Sequence, residues 1–144
     1  MKVEQILSSK PQPGVETIAP EASVADAVAV LSEKRIGALV VSRDGQRADG
    51  ILSERDIVRE LGRKGAECLD ARVEDLMTRK VETCVGQDNT EEILTRMTEG
   101  RFRHMPVVED ERLVGLISTG DVVKARLSEL RMERDALEGM VMGY

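Results

Sequence analysis

The stretch GILSERDIV at residues 50–58 has a near copy, GLISTGDVV, at residues 115–123. Gly50, Ser53 and Asp56 reappear as Gly115, Ser118 and Asp121, and the flanking apolar positions are kept while the middle drifts. A segment that runs from a strand pattern into a helix start, written twice, marks an internal repeat. Such a repeat decides the fold before any single element does.

Outward from that segment the two halves stay in register. VETIAPEASVADAVAVLSEKRIGALVVSRDG from Val15 aligns with VETCVGQDNTEEILTRMTEGRFRHMPVVEDE from Val81 at an offset of 66, which becomes 65 after one deletion beyond the second strand. The lead-ins VEQILS (3–8) and VEDLMT (73–78) also correspond. Each half predicts a short β segment around Thr17 or Thr83, then a helix over Val24–Lys34 or Thr90–Glu99. Ser23 or Asn89 stands at its N-cap, with Asp26 or Glu92 three residues on. Val24, Ala27, Val28 and Leu31 recur at helical spacing and form one apolar face. The Val-rich runs 38–42 and 105–109 read as strands, and Asp44-Gly45 and Asp110-Glu111 as turns. A third strand from Gly50 or Gly115 then feeds a second helix.

The expected fold class is α+β, with two β-α-β-β-α units packed by pseudo-two-fold symmetry. One unit of about 60 residues would leave an apolar sheet face uncovered. Residues 1–70 hold the first repeat and its lead-in, 71–126 the second, and 127–144 a helical extension. Leu127, Leu130, Leu137 and Met140 of that extension either pack on their own domain or meet a second copy.

Composition narrows the function. With one Tyr and one Phe in 144 residues, the core must be aliphatic. A net charge of −6 argues against nucleic acid, whose binding needs clustered Lys and Arg. Cys68 and Cys84 have no partners at metal-ligand spacing, so both read as ordinary small residues in a reducing compartment. MKVEQILSSK lacks the apolar core of a secretory signal and no long apolar run follows, so no membrane association and a cytoplasmic location are expected. A single histidine and the lack of a glycine-rich phosphate loop argue against an enzyme.

The doubled unit, closed in each copy by Gly-x-x-Ser-x-x-Asp and carrying RFRHMPVV in the second, resembles the cystathionine β-synthase (CBS) domain pair, or Bateman module, from about Val3 to Arg126. The tail from Ala125 is similar to the ending of small stand-alone CBS-pair proteins. The resemblance implies a sensor that binds AMP, ADP, ATP, S-adenosylmethionine or NAD in clefts between repeats, pairs as a homodimer and regulates an unknown partner in trans. A ligand-free dimeric scaffold is the alternative.

Asp56 and Asp121 admit two readings. Ser-x-x-Asp is close to a capping box, in which the acid reaches back to a backbone N–H. The same acid, beside a helix N-terminus that suits an anion, is also placed to accept both hydroxyls of a ribose, while Ser53 or Ser118 donates to phosphate. Arg55, inside the first motif, and Thr119, inside the second, belong to the same candidate site. Arg101, Arg103 and His104, just before Met105-Pro106, supply positive charge. By resemblance Arg103 and His104 contact phosphate, and each cleft draws on both repeats, which puts His104 near Asp56 and Gly37-Ala38 near Asp121. The Asp56 cleft would then favour the more anionic ligand, and the Asp121 cleft would have more room. Ile36, Ile51, Met105 and Leu116 are candidates for an adenine slot or core, and Thr17 and Thr83 for ligand or backbone contacts.

Overall fold

The computed structural model describes residues 1–11 and 14–143. In chain order these form α1 (Val3–Ser9), β1 (Thr17–Ile18), α2 (Val24–Lys34), β2 (Ala38–Val41), β3 (Gly50–Ser53) and α3 (Glu54–Lys64). A 3₁₀ turn at Gly65–Asp70 leads to α4 (Val73–Leu76), α5 (Thr90–Gly100), β4 (His104–Glu109), β5 (Arg112–Ser118) and α6 (Thr119–Met142). The β-α-β-β-α order expected from the repeat is present in full in the first half, while the second half keeps α-β-β-α with its leading strand reduced to a bridge.

Helix starts follow their caps. Ser23 Oγ accepts the Asp26 N–H at 3.0 Å and opens α2. At α5 the Asn89 side chain takes the Glu91 N–H at 2.9 Å, one residue earlier than its spacing to Glu92 suggests. An Asn side chain reaches the N2 amide as readily as N3. Both helices end on an arginine in the left-handed region, Arg35 at φ 55° and Arg101 at φ 57°.

In the first repeat β2 lies between a parallel β1 and an antiparallel β3, and all four β2 residues are buried. In the second, β4 pairs antiparallel with the longer β5 through the turn Asp110-Glu111, where both residues have positive φ. That geometry matches the twist of the flanking strands. The β segment expected around Thr83 shrinks to one bridge, Cys84 to Val107, the counterpart of Ile18 to Val41. Beyond it the Val85 N–H turns aside to the Asp88 carboxylate at 2.9 Å, and Gly86 gives its carbonyl to the Glu4 N–H.

The lead-ins change places. Val3 and Ile6 of α1 sit in the core of the second repeat with Ile93, Met97, Met105, Val107 and Ile117. Val73 of α4 completes the core of the first, with Val24, Leu31, Leu39 and Leu52. Backbone bonds fix the exchange symmetrically: Val3 N to Asp88 O and Thr90 N to Met1 O on one side, Val73 N to Ala22 O and Val24 N to Ala71 O on the other. This crossing also explains the two fixed glycines. A Cβ at Gly50 would stand 2.6 Å from Met77 Sδ and 2.9 Å from the Thr78 carbonyl, and one at Gly115 would stand 2.7 Å from Leu7 Cδ2.

Cys68 and Cys84 are buried free thiols, and burial lifts the pKa of Cys84 to about 12. α6 runs as one helix, but its burial ends at Ala125. Leu127, Leu130, Leu137 and Met140 are all exposed. Among the described residues, no helix is long and apolar enough to cross a membrane.

Candidate functional site

The N-termini of α3 and α6 open on one cleft of about 830 Å³ between the repeats. Each start is built alike. Ser53 Oγ accepts the Asp56 N–H and Asp56 Oδ2 accepts the Ser53 N–H at 2.9 Å, while Ser118 and Asp121 repeat the exchange at 3.1 and 2.9 Å. Both acids are therefore capping-box residues. The next amide of each helix is held by the residue that precedes the other hairpin strand of its own repeat: Glu54 N–H donates to Gly37 O at 2.9 Å, and Thr119 N–H to Arg103 O at 2.8 Å.

Capping uses one carboxylate oxygen of Asp56. Its Oδ2 takes the Ser53 amide and hydroxyl, whereas among the described residues Oδ1 has only the guanidinium of Arg59, at 3.7 Å. An ionised carboxylate offers about four acceptor sites. The acid can thus cap its helix and still receive a hydroxyl from the cleft.

Of the residues expected from sequence, Ser53, Arg55, Asp56, Ile51 and Gly37 line the cleft from the first repeat, and Arg103, His104, Ser118 and Thr119 from the second. His104 lies beside Gly37, its Nε2 3.5 Å from where a Cβ there would stand. Burial pushes the imidazole below its ordinary value of 6.5. Lys10 and Arg103 add to that shift, and Asp121 and Glu54 oppose it. The ring faces the site largely neutral at pH 7.

Other candidates lie off the cleft. Ala38, Met105 and Pro106 are buried in strands, and Ile36 packs against the first core. Thr17 is half-buried in β1, and the Thr83 carbonyl holds Arg96 at 3.0 Å. Leu116 and Asp121 are both engaged by Lys10, whose ammonium donates to the Leu116 carbonyl at 2.8 Å and to Asp121 Oδ2 at 3.0 Å. Burial alone would raise the Asp121 pKa, but the Ser118 N–H and the Lys10 ammonium outweigh it and hold the acid below 3.8.

Arg59, Lys80, Glu82 and Phe102 line the cleft without having been singled out. Arg59 follows Asp56 by one helical turn, a spacing visible in the sequence. Lys80 is brought in by the exchange of lead-ins, which no local pattern reveals. With Arg55, Arg101 and Arg103, these residues put five cations against the three acids Glu54, Asp56 and Glu82 on the lining of a protein whose net charge is −6. Clustered positive charge beside two helix N-termini suits a phosphorylated ligand.

The CBS domain family model matches residues 3–63 and 73–128. The crystal structure of the CBS-domain containing protein ATU1752 from Agrobacterium tumefaciens is 42% identical and superposes with a TM-score of 0.82, covering 88% of this chain and 99% of that one. The CBS domain protein PAE2072 from Pyrobaculum aerophilum, solved in complex with AMP, is 25% identical with a TM-score of 0.77, over 92% of this chain and 99% of its own. A mitochondrial CBS domain-containing protein of Arabidopsis thaliana, CBSX3, is 35% identical over 125 residues, which are 84% of this chain but 61% of that relative's length. With both repeats matched and the fold shared along nearly the whole chain, this protein belongs to the CBS domain family and folds as a CBS-domain pair.

Proposed function

We propose that the cleft at Asp56 binds an adenosine nucleotide, with ATP or ADP favoured over AMP or NAD, and that a partner protein reads its occupancy. The observation that carries this reading is the cleft itself, where a half-used carboxylate and two helix N-termini stand among five cations. Asp56 Oδ1 receives the ribose hydroxyls, and Arg55, Arg59, Lys80, Arg101 and Arg103 surround the phosphates. The excess of cations disfavours the sulfonium of S-adenosylmethionine. The AMP held by the Pyrobaculum aerophilum neighbour supports the adenosine class. Binding can bias a partner only if the nucleotide prefers one arrangement of the two repeats.

No bond of the nucleotide is broken in this reading, so ATP incubated with the protein is recovered unchanged by chromatography. Val123, Leu127 and Leu130 are exposed and recur at helical spacing on α6, an apolar stripe that suits a second copy. Light scattering of the wild type and of Leu127→Glu tests the homodimer, which the substitution should break.

Calorimetry with ATP, ADP, AMP, NAD and S-adenosylmethionine tests the ligand. The affinity order should follow phosphate charge, and Asp56→Ala should weaken every nucleotide at least tenfold. A ligand at a hundredfold excess over Kd also stabilises the fold by about 2.7 kcal/mol, which a thermal shift reads directly. The ligand-free scaffold is favoured by one fact, that both aspartates already complete capping boxes. No heat and no shift with any nucleotide would establish it.

A further inference from the structure

Lys10 and Lys80 occupy the same place in the two lead-ins, seven residues beyond Val3 and Val73. Because the lead-ins exchange cores, Lys10 arrives at the start of α6 and Lys80 at the start of α3. Their surroundings then diverge. Ahead of Lys80 the backbone of Thr78 pairs with Ile51, N to O at 2.8 and 3.0 Å, so the Ile51 carbonyl is satisfied and Lys80 is left on the cleft lining. The equivalent carbonyl in the second repeat, Leu116 O, takes its donor from the Lys10 ammonium instead. The same ammonium pairs with Asp121 Oδ2, in a contact where the two side chains are only 33% and 28% exposed.

We infer that Lys10 is a built-in occupant of the Asp121 half-site, holding the acid that a ribose would need and limiting each chain to one adenosine nucleotide, bound at Asp56. A neutral diol entering there must displace an ammonium that is charged opposite to the carboxylate, leaving bonds in which only the acceptor carries charge, and strip the Leu116 carbonyl of its donor. Among the described residues Asp56 has no such competitor, since the guanidinium of Arg59 stays 3.7 Å away and is 65% exposed. The inference rests on the nucleotide reading of the Asp56 cleft.

Lys10→Gln removes the charge and keeps a donor for Leu116. Calorimetry with ATP should give one nucleotide per wild-type chain and two per Lys10→Gln chain. The added event should persist in Lys10→Gln/Asp56→Ala and vanish in Lys10→Gln/Asp121→Ala. Lys10→Met, which keeps the apolar stem, repeats the measurement if the glutamine variant folds poorly. A readout without ligand is the NMR titration of His104, the chain's single histidine. Its pKa should rise in Lys10→Gln, because a cation that holds it down is gone while Asp121 remains. Two nucleotides on the wild type, one on Lys10→Gln, or an unmoved His104 would each overturn the inference. No heat in any of these proteins removes the Asp56 reading instead, and with it the count built upon it.

Discussion

At the scale of single residues, the two readings of Ser-x-x-Asp turn out to be compatible, since a carboxylate has two oxygens and the cap uses one. The motif was legible in the sequence, and so was an asymmetry between its copies, whereas the contact of Lys10 with only one of them was not. Asp56 and Asp121 share the Ser-x-x-Asp frame, and the long-range approach of Lys10 to Asp121 is a difference that no local pattern reveals. Arg101 shows how function and stability can be told apart. It ends α5 at φ 57°, a conformation that favours glycine, and its side chain lines the cleft. Arg101→Gly should stabilise the fold by about 1 kcal/mol by relieving the left-handed backbone. It should also weaken ATP by roughly two- to fivefold through the lost charge. Arg35→Gly is the control, because Arg35 has the same backbone at φ 55° and does not line the cleft. That variant should gain stability with ATP affinity unchanged, as urea titration and calorimetry on the pair will show.

At the scale of elements, helices and strands followed their local patterns closely. Ser23, Ser53 and Ser118 each sit at an N-cap and accept an amide three residues on. The destination of α1 and α4 was beyond reach of such patterns, because amphipathic spacing says that Val3 and Ile6 are buried but not against which core. Their exchange couples the repeats, and it makes a directional prediction. Ile6 is 4% exposed and packs with the second repeat. Ile6→Ala should cost about 2–5 kcal/mol, the usual range for emptying such a site. Although Ile6 precedes the first repeat in sequence, hydrogen exchange should quicken first in β4 and β5 and leave β2 and β3 protected. Faster exchange confined to β2 and β3 would contradict the exchanged packing.

At the scale of the whole molecule, the acidic chain keeps its clustered cations around the cleft, and His104 reports on that field from between the two repeats. Folded His104 holds a proton less tightly than a free imidazole, so below pH 6.5 the unfolded chain binds more protons and gains ground. The stability it confers is complete above pH 6.5 and declines as the pH falls toward its depressed value. Asp121 adds a second, more acidic loss, because its pairing with Lys10 is complete above pH 3.8 and fails as the pH drops through its own lowered pKa. Urea midpoints should therefore be level between pH 7 and 8 and fall between pH 6.5 and 5. A phosphate seated in the cleft reverses the first effect, since its negative charge favours the imidazolium. Saturating ATP should raise the pKa of His104, so that binding takes up a proton near pH 6 and the slope of stability with pH flattens in that window. A His104 titration that stays put when ATP saturates the protein would mean that the phosphates lie elsewhere, and the five cations would then need another anion to explain their convergence.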